Sequence, residues 1–382
     1  MNTNRFETFY DAILAIIITI LVLKIPQPIG PGWGAFFSNY LDFVTYLIVF
    51  LSIINIWYNN HKIFQHIDEI NNLTVMMYGV SIFLFTLIPY FASWISPNPY
   101  SLVAETIFGL LILFANISHI IAIIAVYGSN RSNEKLKELN IKKIHFLIPL
   151  ILIIIGFVIS YTVYTPGIYI TVLFSVILSI INNRKQYIEY DNTERFEALI
   201  DAIIAIVITI IVLEIPTAAG SLAGLLELKY EFAAYAVSFI VCFNMWHFTY
   251  NLFTIINKIN YKVILSISLM LFFLSLIPYL TLYVSANFNE FVPQCIYGIN
   301  FIIISFFNLI ATHYMKKIDE TNQYLQKAFE NYNNYFMNII LTGIFMILGY
   351  YFYPPIIILS CLLSIMITWI FMYKKINLLR VI

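Results

Sequence analysis

Apolar residues in this 382-residue chain are collected into long runs that short polar segments separate. Each run approaches or exceeds the length needed to cross a hydrocarbon core about 30 Å thick, and none has the period-two alternation of a barrel strand. The predicted spans cover residues 6–26, 41–61, 74–95, 103–127, 144–163, 166–182, 196–216, 231–251, 263–285, 293–314, 335–353 and 355–373. The sequence therefore predicts an all-α integral membrane protein with twelve transmembrane helices.

The distribution of basic residues agrees with this count and orients the helices. If consecutive helices alternate in direction, all of the 20 Lys and Arg residues except Lys24 and Lys229 lie on one side of the membrane. The positive-inside rule assigns the basic side to the cytoplasm. Both termini are therefore predicted to be cytoplasmic.

Composition excludes several classes of protein. Hydrophobic residues make up 61% of the chain and charged residues 10%, with a mean hydropathy of +0.86, which no water-soluble fold accommodates. The formal net charge is +0, so we expect membrane lipids rather than nucleic acid as partners. Cys242, Cys295 and Cys361 occur singly inside apolar spans, which predicts no metal site. We expect no cofactor and, in the absence of a duplicated His, acid or Ser constellation, no enzyme activity.

The first predicted helix occurs twice. Residues 5–26 return almost unchanged as residues 195–216, at a spacing of 190, and further matches continue at a spacing of 189 as far as Pro166 and Pro355. Each copy contains six spans, and because six is even both copies enter the membrane in the same sense. The sequence predicts two parallel six-helix repeats, residues 1–190 and 191–382.

The repeated helix carries an acid on one face and aliphatic residues on another. Asp11 and Ile16 are separated by five residues, or about 140° around an α-helix. A carboxylate in a membrane costs at least a few kcal/mol unless it is paired, so Asp11 and Asp201 each require a polar partner. The cytoplasmic end of the second span offers candidates. The acid is interpreted either as a packing clasp between helices or as a contact for a transported ion.

The pattern R-x-x-x-F-x-D-A-x-x-A-I-x-x-T that begins at Arg5 resembles the signature of the transmembrane protein 175 family of potassium channels. A Trp-containing second helix and the pairs Pro89-Tyr90 and Pro278-Tyr279 at the end of the third span extend the resemblance over essentially the whole chain. It implies a potassium-permeable cation channel in which four first helices surround a central pore. Members with two repeats form dimers, so a homodimer is implied, located in a cell membrane if the source is prokaryotic and in lysosomes or endosomes if it is eukaryotic.

The resemblance also assigns roles to residues of this chain. A hydrophobic constriction is implied at Ile16 and Ile206. The implied pore-lining residues are Ile20, Leu23, Ile210 and Leu213, and Thr19 and Thr209 are the implied selectivity layer. The implied structural polar network comprises Arg5, Asp11, Trp57, Asn60, Arg195, Asp201, Trp246 and Thr249.

The chain departs from the family signature at positions of this network. Tyr10 and Ile200 replace the signature Ser, and Asn60 and Thr249 replace the His of the second helix. These changes affect the expected polar network rather than the pore-lining assignment. No T-V-G-Y-G filter occurs in the sequence, so side chains rather than backbone carbonyls would have to discriminate between ions.

A secondary transporter, or a proton-permeable pathway built from parallel repeats, is the alternative function. Such a protein is expected to break its helices near mid-membrane and to place ionisable groups there. The repeated helix contains neither Gly nor Pro between Asp11 and Leu23. The deeply placed ionisable candidates are chiefly Glu105 and His119.

Overall fold

A computed structural model describes residues 3–67, 69–130, 133–134, 136, 144–185, 193–256, 258–318, 320, 322 and 333–379 of the chain. The predicted repeat junction at residues 190 and 191 lies outside these residues. Within them, the regular secondary structure is helical, as the apolar runs predict. The all-α class is therefore confirmed.

The helices coincide with the predicted spans, with two short helices added between them. In chain order they are α1 Thr3–Ile20, α2 Trp33–Phe37, α3 Tyr40–Phe64, α4 Asn72–Ile95, α5 Leu102–Ser129, α6 Ile144–Thr162, α7 Gly167–Lys185, α8 Glu194–Leu213, α9 Leu222–Glu227, α10 Lys229–Phe253, α11 Tyr261–Ser275, α12 Ile277–Ala286, α13 Phe291–Ile318, α14 Asn333–Tyr351 and α15 Ile356–Leu379. A 3₁₀ turn, Leu21–Lys24, extends α1. The predicted span 263–285 is divided at Leu276 into α11 and α12.

Length and apolarity identify membrane-spanning helices directly. Among the described residues, eight helical segments are long and apolar enough to cross a bilayer. Four further apolar helices, Leu147–Thr162, Gly167–Asn183, Phe336–Tyr351 and Ile356–Trp369, are shorter. The chain is a multi-pass integral membrane protein.

The chain forms two compact units. The first contains Met1–Ile25 and Tyr40–Tyr187, and the second contains Pro26–Asn39 and Ile188–Ile382. In the first unit, α1 packs against α3 and α4, while α5 contacts α4, α6 and α7. In the second unit, α8 packs against α10, α11 and α12, and α13 contacts α11, α14 and α15.

An asparagine at equivalent positions joins α3 to α7 in the first unit and α10 to α15 in the second. Asn55 Oδ1 accepts hydrogen bonds from Ser179 Oγ and Asn183 Nδ2, both at 2.8 Å. Asn244 Oδ1 accepts one from Trp369 Nε1 at 2.7 Å. A polar side chain among apolar helices is stabilised by such a partner, because lipid offers none. Both repeats therefore keep the acceptor, although its donors differ.

Glycines allow close approach of helices at matching places in the two units. A Cβ added at Gly109 would lie 2.8 Å from the Ile168 side chain, and one added at Gly298 would lie 2.8 Å from Ile357. Both pairs are separated by the repeat spacing of 189 residues. Small residues at helix contacts are the usual means of tight packing in lipid.

Gly156 gives the sharpest test of this packing, because a Cβ there would lie 2.9 Å from the Cα of Ile168 and would also meet the Thr171 hydroxyl. Gly156→Ala is expected to lower the unfolding free energy by about 1–3 kcal/mol through overpacking. Gly79→Ala is the matched control, since its Cβ meets nothing within 4 Å and helical Ala is favoured over Gly by about 0.5–1 kcal/mol. Thermal unfolding of the purified protein in detergent compares the two variants, and equal stability of both would contradict the predicted close approach.

Candidate functional site

The predicted pore-lining residues of the first repeat share one exposed face of α1. Ile16 is 43% exposed, while Ile20 and Leu23 are each 39% exposed. The opposite face is buried, with Tyr10, Leu14 and Ile18 fully enclosed. A large aliphatic stripe that the rest of the chain leaves exposed is expected to contact a partner or lipid, or to line a pore.

The second copy of the helix, α8, exposes a different face. Its exposed residues include Asp201, Ala205 and Thr209, whereas Ile206 is half-buried and Ile210 is only 4% exposed. The exposed stripe is therefore displaced by one residue from that of α1, which corresponds to about 100° of rotation. Leu213, at the end of α8, is exposed like its counterpart Leu23.

The two threonines of the implied selectivity layer lie in different surroundings. Thr19 is buried, and its hydroxyl donates to the carbonyls of Ala15 at 2.9 Å and Ile16 at 3.1 Å. Thr209 is exposed, and its hydroxyl donates to the carbonyl of Ile206 at 2.8 Å. Both hydroxyls are thus hydrogen-bonded within their own helix, as Thr commonly is in an apolar environment.

Behind α1, three polar side chains form a buried chain of hydrogen bonds. Asn60 Nδ2 donates to Tyr10 Oη at 2.7 Å, and Tyr78 Oη donates to Asn60 Oδ1 at 3.0 Å. These residues lie on α1, α3 and α4, and the rings of Phe6 and Phe64 pack around them. We call Tyr10, Asn60 and Tyr78 the tyrosine–asparagine triad. It ties the first three spans of the first repeat together.

Two members of this triad replace signature residues of the family, and they bond to each other. Tyr78 is a member that sequence reasoning missed. At the equivalent positions of the second repeat stand Ile200, Thr249 and Ile267. All three polar positions therefore change together, and this joint change is the signal that would have identified Tyr78. Two of the three replacements are apolar, and the hydroxyl of Thr249 is bonded within its own helix, which keeps the cost of the change low.

In the second repeat, the acid Asp201 makes the polar contact between the first two spans instead. Trp246 Nε1 donates to Asp201 Oδ1 at 2.9 Å, which joins α8 to α10. Thr249 takes no part in this bond, because its hydroxyl donates to the backbone carbonyls of Met245 and Trp246. Arg195 is half-buried on the same helix. The structure thus brings Asp201 and Trp246 of the predicted network together.

The corresponding residues of the first repeat differ in burial. Asp11 is buried, and Trp57 is fully buried with its ring stacked on His61 at 5.0 Å between ring centroids. Arg5 is exposed at the start of α1. Asp11 is thus enclosed whereas Asp201 is exposed, which follows the displacement of the exposed stripe between α1 and α8.

The other ionisable residues that the sequence singled out are occupied by structural contacts. Glu105 lies in the first turn of α5, and its Oε2 accepts the backbone N–H of Tyr169 at 3.1 Å, near the N-terminus of α7. A carboxylate in that position is favoured by the free amides of the helix end. His119 packs against the rings of Tyr78 and Phe85.

The part of the chain that the structure describes contains no cluster of three His, Cys, Asp or Glu side chains able to hold a metal ion. The three cysteines are buried and free. The candidate site is therefore a pair of duplicated helices with polar contacts behind them.

Sequence comparison assigns these helices to a family. The profile of the family described as endosomal/lysosomal potassium channel TMEM175 matches the chain twice, at residues 5–89 and 195–278. Each match begins at the signature arginine and runs through the first three spans. Both copies of the repeated segment therefore match this family. The resemblance inferred from the signature is confirmed, as is the presence of two copies of the family segment.

Bacterial proteins are among the relatives of this chain. A protein named as a potassium channel from Chryseobacterium sp. (strain P1-3) is 27% identical over 42% of this chain and 84% of its own length. One from Streptomyces collinus is 26% identical over 29% of this chain and 58% of its own length, and one from Chamaesiphon minutus is 32% identical over 23% and 47%. The last two alignments thus span about half of each relative.

The tyrosine–asparagine triad predicts a specific order of stabilities. Asn60→Thr, which copies the second repeat, removes the bonding partner that Tyr10 and Tyr78 share, and it is expected to cost about 1–3 kcal/mol. A triple variant, Tyr10→Phe with Asn60→Thr and Tyr78→Phe, also removes both hydroxyls and is expected to recover part of this loss. Thermal unfolding in detergent measures the order, with Thr162→Ala as an exposed control. A triple variant less stable than Asn60→Thr alone would contradict the account.

Proposed function

We propose that this protein is a TMEM175 family member and a potassium-permeable cation channel whose pore is lined by the first helix of each repeat. The observation that carries the proposal is the exposed aliphatic stripe of Ile16, Ile20 and Leu23 on a helix whose other faces are packed. The matches of both repeats to the family profile and the naming of the relatives as potassium channels support it.

In this proposal two copies of the chain surround one pore, so that four first helices contribute to it. Ile16 and Ile206, two from each subunit, form a ring at the constriction. Isoleucine offers no ligand to a cation, so a narrow ring closes the pore by excluding water. Separation of the helices admits water and a partly hydrated K⁺ ion, and the channel conducts.

In this mechanism the first helices of the two repeats, α1 and α8, start from different orientations. Ile16 and Ile20 are exposed, but Ile206 is half-buried and Ile210 is buried. For Ile206 and Ile210 to face the pore as their counterparts do, α8 must turn by about one residue, or 100°, relative to its neighbours. Thr19 and Thr209, proposed as the selectivity layer, would become equivalent through the same rotation.

The proposed topology has twelve spans in two parallel six-helix repeats, 1–190 and 191–382, with both termini in the cytoplasm. The four shorter apolar helices then complete the two sets of six. The bacterial relatives favour a cell membrane over a lysosomal one. Reporter proteins fused at either end test this arrangement. Fluorescence from a cytoplasmic reporter is expected at both ends, and activity of an exported reporter at either end would reject it.

Electrical recording distinguishes a channel from a transporter. Purified protein in planar bilayers, with K⁺ on one side and Na⁺ on the other, is expected to give unitary currents whose reversal potential favours K⁺. Flux without unitary currents, saturating with substrate and coupled to a second ion, would support the transporter instead.

Ile16→Asn combined with Ile206→Asn is expected to raise resting cation leak, since each 1.4 kcal/mol removed from a barrier gives about a tenfold increase in rate.

The control for this variant is Ile121→Asn, which places the same polar group on a comparably exposed isoleucine of α5. Its leak is expected to match that of the unchanged protein. Unchanged leak in the Ile16→Asn, Ile206→Asn protein, with normal assembly, would reject the isoleucine ring while leaving the channel itself standing.

A further inference from the structure

The segment that follows the first helix belongs to the second compact unit. We call Pro26–Asn39 the first strap. Tyr279 Oη donates to the Pro26 carbonyl at 3.1 Å, and Gln27 Nε2 donates to the Tyr279 carbonyl at 3.3 Å. Further along, Tyr283 Oη donates to the Gly30 carbonyl at 3.2 Å. The first strap is thus fixed to α12 by two tyrosines one helical turn apart.

An aromatic contact completes the attachment. The ring of Phe36, in the short helix α2, stacks on that of Tyr283 with centroids 5.9 Å apart and planes at 25°. Tyr279 is only 3% exposed beneath this segment. Gly30 has a φ of 105°, a left-handed conformation that glycine adopts without strain. The first strap and its receiving helix are therefore a specific pair.

The duplication provides a second strap, residues 216–228, with a corresponding sequence pattern. Pro216 and Gly220 occupy the positions of Pro26 and Gly30. The apolar residues Trp33, Phe36 and Phe37 of α2 correspond to Leu222, Leu225 and Leu226 of α9, at the spacing of 189. These three leucines are exposed, as are Trp33 and Phe37, whereas Phe36 is half-buried, so it is Leu225 that lacks the cover its counterpart has. The second strap has the glycine and the apolar side chains to dock, but its own chain leaves them uncovered.

The receiving surface is duplicated as well, and its first copy is vacant. Tyr90 and Trp94 of α4 correspond to Tyr279 and Tyr283. Tyr90 is 65% exposed where Tyr279 is 3% exposed. The second strap and the receiving surface on α4 therefore remain exposed on each chain. They are the duplicates of the first strap and α12, which are already in contact.

We propose that the second strap packs on the outer end of α4 in a second copy of this chain, in the way that the first strap packs on α12. A two-fold axis makes this contact twice, so that all four straps and all four receiving surfaces are used and the ring closes. The exposed leucines then lie against Tyr90 and Trp94 of the partner. The inference rests on the proposed assembly from two copies, but it does not depend on ion conduction.

Site-directed cross-linking of the full chain in membranes tests this contact. Leu225→Cys and Trp94→Cys are made in separate chains that carry different affinity tags, co-expressed, and treated with a short bifunctional methanethiosulfonate reagent. The expected product is a cross-linked species of twice the chain mass that carries both tags. The native cysteines are buried, so they contribute little background. Leu226→Cys with Tyr90→Cys is a second pair, used if either first variant fails to fold.

The intrachain equivalent supplies the matched control. Phe36→Cys with Tyr283→Cys in one chain is expected to cross-link within that chain and to give no dimer band. Leu225→Cys co-expressed with Val163→Cys, an exposed position outside the proposed contact, is expected to give no product. Absence of the two-tag product in folded protein, or an equal yield with Val163→Cys, would overturn the inference. Loss of cross-linking with preserved K⁺ current would reject this contact without rejecting the channel.

Discussion

A polar group buried among membrane helices is stabilised by a partner inside the protein, because hydrocarbon offers none. Several features of the structure meet this requirement. Thr19 and Thr209 return their hydroxyls to their own helices, Glu105 accepts an amide at the start of α7, and Asn55 and Asn244 hold α7 and α15. Polar contacts consequently lie between the helices of the chain, and wide aliphatic faces remain exposed for contact with other surfaces.

The same requirement explains how the two repeats have diverged. A single change at Asn60 would remove the partner that two buried hydroxyls share, so such positions are expected to change as a set. The tyrosine–asparagine triad of the first repeat is matched in the second by Ile200, Thr249 and Ile267, which leave no comparable network. The second repeat joins its first two spans through Asp201 and Trp246 instead. Two repeats with one ancestral pattern thus hold their first helices by different bonds.

Periodicity and apolar length predicted the helices well, because the lipid environment imposes the same demand on every span. The signature pattern also predicted a polar role for Asp201 and Trp246, which the structure brings together. It predicted such a role for Asn60 as well, but Tyr10, the partner of Asn60, stood out only as a departure from the signature. Three findings were beyond the local pattern along the sequence. Tyr78 lies 68 residues from Tyr10, the exposed stripe of α8 is displaced by one residue, and Pro26–Asn39 packs on α12. Each depends on which helices meet, and local pattern does not encode that.

An aliphatic constriction becomes physically reasonable once the polar residues are assigned to structural contacts. If Asp11 or Asp201 faced the ion path, each ion would meet a fixed charge, and closure by loss of water would be prevented. In α1 the acid is buried about 140° away from the stripe of Ile16, so the exposed surface is apolar. In α8, Asp201 is exposed but accepts a hydrogen bond from Trp246, so any rotation of α8 would disturb this bond. In the proposed channel, turning α8 to bring Ile206 into line with Ile16 would strain or break the Asp201–Trp246 contact, so this bond would make the two repeats differ in how readily they open.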